Sequence, residues 1–269
     1  MPRMTVNGAE LNYEDQGTGQ TIVLLHGWSM SGRFFQRQIA PLASKYRVIA
    51  PDFRGHGESQ NVLSGHTVEQ YAADVHALAA TLGIERPVLL GWSMGVMVAY
   101  EYLNLSRDGE VAGLVIVEQG ASDFIWSDYP EGVFTAEELH HSNNELQTDQ
   151  AALAREFADL MLHEPDEETR SWMVEEMCKC PPAIAGSILL DQTLRDDRAL
   201  ITSIRIPTLV IFGEDPKLTN PSAGKWISEQ IPGARFEVIC ASSHCPFYEQ
   251  ADEFNALVTR FVASVAPKL

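Results

Sequence analysis

Gly91-Trp92-Ser93-Met94-Gly95 stands between an apolar run, Pro87–Leu90, and a segment of helical period, Met94–Leu105. A chain that leaves a strand and enters a helix within two residues must turn sharply, which forces the corner serine into a strained backbone conformation. Small residues two positions to either side avoid the clash that such a turn creates. The serine oxygen is then held out at the carboxyl end of the strand. The bare G-x-S-x-G pattern carries little by itself; the strand before it and the helix after it are what make Ser93 a candidate nucleophile rather than a turn serine.

Strand-sized apolar runs recur on both sides of this corner, at Thr21–Leu25, Arg47–Ala50, Gly113–Val117, Thr208–Phe212 and Ala234–Ile239. They alternate with longer helical segments such as Thr67–Leu82 and Ala251–Val265, which predicts an α/β fold with a mostly parallel sheet flanked by helices. Near-continuous hydrophobicity within each run predicts burial on both faces. Ahead of them, Met4–Val6 and Glu10–Tyr13 flank Asn7-Gly8, a pair suited to the positive φ angles of a type I′ turn, so the sheet should begin antiparallel. Between Ser122 and Leu200 the alternation stops. Helices are expected there at Thr135–Leu146, Gln150–Leu162, Glu167–Cys178 and Ala183–Leu194. This predicts a core domain of residues 1–121 and 201–269 with a helical cap, residues 122–200, inserted into it.

The 269 residues are 45% hydrophobic and 21% charged, enough apolar material for one sizeable core. Nineteen basic against thirty-seven acidic side chains leave a net charge of −18. That balance repels phosphate backbones and anionic leaflets, and argues against nucleic-acid and membrane partners. The longest apolar runs fall far short of the roughly 20 residues a membrane helix needs. The opening residues carry no apolar signal segment, which predicts a cytoplasmic location. Cys178, Cys180, Cys240 and Cys245 lack CxxC spacing and read as reduced thiols, with no metal site. Within the expected cap, Asp123 to Glu176 holds fifteen acidic residues against Arg155 and Arg170 alone. This is either a solvated face or a field that disfavours anionic substrates at the entrance.

Two further segments belong with Ser93. Leu24-Leu25-His26-Gly27-Trp28 ends the first long parallel strand, and Gly27 permits a turn that aims the Trp28 backbone N–H at the same rim. The Met94 N–H lies at the positive end of the helix that follows the serine. Two such donors would make an oxyanion hole, with His26 bracing the turn. After the last strand comes Ser242-Ser243-His244-Cys245-Pro246-Phe247, whose His244 is placed to reach across the sheet to Ser93 as its base.

With His26-Gly27-Trp28, Pro51-Asp52-Phe53-Arg54-Gly55-His56-Gly57-Glu58-Ser59, Gly91–Gly95 and Ser243-His244 in this order, the chain resembles the α/β-hydrolase-fold serine hydrolases over roughly Thr5 to Val265. Haloperoxidase-like esterases, pimeloyl-carrier methyl esterases and lactonases are the similar proteins. The resemblance implies hydrolysis of a neutral, largely apolar carboxylic ester or lactone through an acyl-enzyme, without cofactor. It leaves open other chemistry on the same triad: a cofactor-free oxygenase, carbon–carbon hydrolysis or perhydrolysis. Against perhydrolysis, Ser29 follows Trp28 where peracid-forming relatives tend to carry Pro.

The third triad member departs from the family's usual pattern. Most relatives place an Asp three residues after the Gly that ends the penultimate strand, and counting from Gly213 that slot is Pro216. Asp215 is one residue early. Some members carry the acid after the strand that follows the nucleophile helix, and here Gly113–Val117 runs straight into Glu118. Glu118 is therefore the expected acid, with Asp215 the alternative. Trp92, Phe124, Trp126 and Phe247, together with Trp28 and Met94, are expected to face the cleft and bind an apolar acyl or aryl group.

Overall fold

The computed structural model describes residues 1–107 and 109–266. Among them eight strands form one sheet: β1 (Arg3–Val6), β2 (Ala9–Gln16), β3 (Thr21–Leu25), β4 (Arg47–Pro51), β5 (Val88–Trp92), β6 (Gly113–Val117), β7 (Thr208–Gly213) and β8 (Arg235–Ile239). Their spatial order is β1-β2-β4-β3-β5-β6-β7-β8. The six strands from β3 to β8 run parallel, and β2 pairs antiparallel with both β1 and β4. The opening hairpin forms as the Asn7-Gly8 pair dictates, with Asn7 at φ 46° and Gly8 at φ 79°.

Every residue of β3, β5, β6 and β7 is buried, so both faces of the central sheet are covered. One expectation fails. β8 is only partly buried although its composition reads like a central strand. It pairs with β7 alone and forms the edge of the sheet, where solvent reaches residues such as Arg235 and Val238. The flanking helices in this first half are α1 (Ile39–Ala43), α2 (Val68–Thr81) and α3 (Met94–Leu105). Thr67 caps α2 by accepting from the Gln70 N–H, as its sequence position suggests.

Between β6 and β7 the chain is helical: α4 (Ala136–Thr148), α5 (Gln150–Met161), α6 (Glu167–Met177), α7 (Pro182–Thr193) and the short α8 (Arg198–Ile201). The remaining helices are α9 (Pro221–Gln230), α10 (Pro246–Glu249) and α11 (Ala251–Val265). In the insert α4 packs on α5 and α7, α5 on α6, and α7 reaches α2. Polar ties hold it to the sheet. Trp28 Nε1 donates to Ala185 O at 2.8 Å, and the Val68 N–H to Asp191 Oδ2 at 2.9 Å. Buried Glu176 receives Ser31 Oγ at 2.6 Å and pairs with Arg33 and Lys179. Part of the insert's acidic excess is therefore structural. No helix among the described residues is long and apolar enough to cross a membrane.

Register positions the rim. Trp92 pairs with Val117, so Ser93 and Glu118 each stand one residue beyond the end of neighbouring strands. The Ser93 N–H still bonds to Val117 O at 2.9 Å, and the Glu118 N–H to Ile211 O at 3.1 Å. Both residues thus leave the sheet from a fixed ladder.

Candidate active site

Ser93 adopts φ 53° and ψ −130°, a conformation that a side-chain-bearing residue holds only when its surroundings impose it. The neighbouring glycines show what imposes it. A Cβ on Gly95 would lie 2.1 Å from Leu25 O, and one on Gly91 would lie 2.5 Å from Gly95 O. The first turn of α3 is wedged against the end of β3 with no room for a methyl group. A Cβ on Gly27 would stand 3.2 Å from Ser93 Cβ, which places the Gly27-Trp28 backbone directly beside the serine. Met94 is the first residue of α3, so its N–H has no intrahelical partner. The Trp28 N–H also has no hydrogen-bond partner among the described residues.

Beyond β6, Glu118 is likewise at positive φ, 53°, and is 2% exposed. Its carboxylate is held from three sides. Oε1 accepts from the Gly213 N–H, and Oε2 accepts from the Thr219 hydroxyl and lies 3.2 Å from His244 Nδ1. A carboxylate accepts only, so its presence assigns the proton of the neutral imidazole to Nδ1 and leaves Nε2 as the acceptor. The histidine loop is fixed at its backbone, where Trp92 Nε1 donates to His244 O at 2.8 Å. Asp215 goes elsewhere. His163 Nδ1 donates to its Oδ2 at 3.0 Å and Lys217 Nζ lies 3.9 Å away, while among the described residues no hydrogen bond or ion pair joins it to His244. The single-residue offset before Pro216 turns Asp215 toward the insert.

His26 is excluded as a base by its bonding. Nδ1 donates to Gly27 O at 2.8 Å and Nε2 accepts the Phe53 N–H at 3.0 Å. Complete burial, with His56 nearby, holds its pKa well below the ordinary histidine value. The neutral ring locks the turn that carries Trp28.

Ser93 and His244 open onto one cavity under the insert, with about 480 Å³ of empty space including its mouth. Trp28 and Trp92 line it as expected. Met94, Phe124, Trp126 and Phe247 do not, and this part of the sequence reading is corrected. Phe124 and Trp126 pack together with tilted rings, centroids 4.8 Å apart, in the loop after β6, with Trp126 Nε1 bonded to Ser122 Oγ. Phe247 is fully buried against Trp92, Phe35 and Phe254 beneath the site. The Met94 side chain is fully buried as well. The apolar walls come instead from Phe134, Phe157, Met161, Leu189 and Leu218.

With this geometry in place, residues 22–257 match the alpha/beta hydrolase family. The chain belongs to that family. Among curated relatives, this alpha/beta hydrolase is 30% identical over 245 residues to a pimeloyl-[acyl-carrier protein] methyl ester esterase of Neisseria meningitidis serogroup B, covering 90% of this chain and 92% of the relative. It is 29% identical to a non-heme haloperoxidase of Rhodococcus erythropolis, covering 98% and 100%. Among solved structures, an esterase from Exiguobacterium antarcticum superposes with a TM-score of 0.91 at 25% identity, covering 96% and 97%. The overall fold and the family read from the sequence are therefore those of this enzyme.

In the alpha/beta hydrolase site, sequence reasoning missed Thr219 and three polar residues of the cavity wall, Gln119, Asp123 and Gln192. Thr219 follows β7 in a loop without a motif, and only the fold shows that its hydroxyl reaches Glu118. Asp123 carried a signal that was readable: it lies five residues beyond Glu118, on the chain leaving the same rim.

Proposed function

We propose that this alpha/beta hydrolase cleaves neutral, largely apolar carboxylic esters, or their cyclic form, lactones, through an acyl-enzyme on Ser93. The observation that carries the reading is the 3.2 Å approach of His244 Nδ1 to the buried Glu118 carboxylate, in a residue whose ring shares a cavity with a strained serine. His244 Nε2 takes the Ser93 proton as Oγ attacks the carbonyl carbon. The negative charge that develops on the carbonyl oxygen is met by the Trp28 and Met94 N–H groups. The imidazolium then protonates the departing alcohol. Water repeats the sequence in reverse, giving its proton to His244 and releasing the acid and a free serine. Glu118 fixes the tautomer throughout and stabilises the imidazolium. The apolar walls favour an uncharged acyl or aryl group, and the esterase relatives support the same class.

A panel of p-nitrophenyl esters of graded acyl length tests this. Turnover is expected, strongest for acyl groups that fill the cavity, and silence on every ester would overturn the proposal.

Charge at the entrance should sort substrates further. A second groove shares Val133, Phe134, Phe157 and Leu218 with the cavity and opens between α4 and α5, where Glu137, Glu138, Glu145 and Glu156 line it against Lys217 and His141. A hemisuccinate ester is therefore expected to be hydrolysed more slowly than a neutral ester of equal size at low salt. The gap should narrow as the Debye length shrinks to about 8 Å near physiological ionic strength. Initial rates over a salt series measure it; a gap that ignores salt would assign the acidic rim no part in selection.

A further inference from the structure

Resting on the ester-hydrolase reading above, we infer that Asp123 and Gln192 form a subsite for a hydrogen-bond-donating group of the substrate, a hydroxyl or an ammonium. The two residues come from different elements, Asp123 from the loop after β6 and Gln192 from the last turn of α7, 69 positions apart in the chain and joined by a hydrogen bond. Both line the cavity, and they are only 6% and 4% exposed. The same lining carries apolar Met30, Phe134, Phe157 and Leu189, with Gln119 bonded to Asp123 and His244 within electrostatic reach of it.

The polarity of the pair is one-sided. Asp123 Oδ1 accepts from Gln119 Nε2 at 2.6 Å, and Oδ2 from Gln192 Nε2 at 3.0 Å. A carboxylate offers about four acceptor positions, so two remain. No Lys or Arg contacts it among the described residues. Gln192 Oε1 is buried with no partner among the described residues. Rotating the amide would not help, because its NH₂ is already committed to Asp123. The free valences here are therefore mostly acceptors, two on Asp123 and those of Gln192 Oε1, against one remaining N–H of Gln192.

Burial pushes the Asp123 carboxyl up, while the two amide donors favour its charged form. The orientation seen, with both amide NH₂ groups turned to the carboxylate, is the one that the ionised form of Asp123 selects. A buried carboxylate and a buried amide oxygen, each short of a hydrogen, are both satisfied by one group that supplies several. An ammonium does so best and a hydroxyl does so partly. An anion or an ether does not. The acidic groove that continues from the cavity favours the same ligands.

The test compares p-nitrophenyl alkanoates with ω-hydroxy and ω-amino analogues of equal length, and repeats the comparison with the substituent on the alcohol side. Parent, Asp123→Asn and Gln192→Glu are measured. Ratios of kcat/KM between two esters on one preparation do not depend on how much of it is folded. The parent is expected to favour a donor-bearing ester by about ten- to a hundredfold in one of the two series, chiefly through KM. Asp123→Asn should bring that ratio close to one. Gln192→Glu, by adding a second carboxylate, should raise the preference for ammonium over hydroxyl. A parent that turns over plain esters without favouring either donor overturns the subsite, as does Asp123→Asn with the ratio unchanged. A parent that turns over no ester at all instead overturns the hydrolase reading on which the subsite rests.

Discussion

Ser93→Ala is expected to reduce ester turnover by about 10³-fold or more while leaving the fold intact. The strained corner is imposed by the approach of α3 to β3 at Gly95 and to β5 at Gly91, and a smaller side chain at position 93 relieves rather than adds crowding. The Trp28 and Met94 amides would remain in place, so a residual rate above that of water is part of the expectation. Steady-state rates on one good aryl ester measure the loss, and circular dichroism checks the fold. Intact-mass analysis during turnover should show an acyl adduct on the parent and none on the variant. Ordinary turnover by Ser93→Ala, in a preparation free of other esterases, would overturn the serine mechanism.

The largest effect is expected at the acid. Glu118→Gln should lower turnover by about 10⁴-fold, the size of the loss when an orienting carboxylate becomes an amide in a comparable triad. Three groups donate toward Glu118, and an amide has one oxygen with which to accept. If the oxygen faces the Gly213 N–H, the NH₂ faces His244 and the Thr219 hydroxyl and selects the wrong tautomer. If it faces His244, a buried backbone N–H loses its partner. Asp215→Asn should stay within about tenfold of the parent, because Asp215 bonds to the half-exposed His163 rather than to His244. Both variants are to be assayed on the same ester after active-site titration. A crippled Asp215→Asn beside a healthy Glu118→Gln would reverse the assignment.

How far the sequence could be read depended on the range of the forces involved. The corner at Ser93 is set by five consecutive residues and their flanks, and the structure shows those flanks in contact. Glu118 was readable because Pro216 removes its usual competitor and because the end of a buried strand has a calculable position. The walls of the cavity were not readable. Phe247 follows His244 by three residues and looks like a rim residue, yet α10 turns it inward onto Trp92. Phe157 and Leu189 reach the cavity only through the packing of α4, α5 and α7, which no local pattern encodes. β8 failed for a related reason. Its residues read as those of a central strand, and only the strand order makes it an edge.

The register of β5 and β6 divides the proposed triad into fixed and hinged parts. Ser93 and Glu118 stand on adjacent strands, clasped by ladder bonds in the most protected part of the sheet. His244 alone rides on a loop, pinned by Trp92 and, through Ser243 Oγ, by Leu160 O at the end of α5. Two of the three groups would thus keep their spacing until the domain itself melts, whereas the third can be withdrawn by a local opening that costs far less than global unfolding. A swing of α5 away from the cavity strains that Leu160 contact and pulls on the segment bearing the base. Breaking that one bond would loosen the base while leaving the nucleophile and the acid at their spacing.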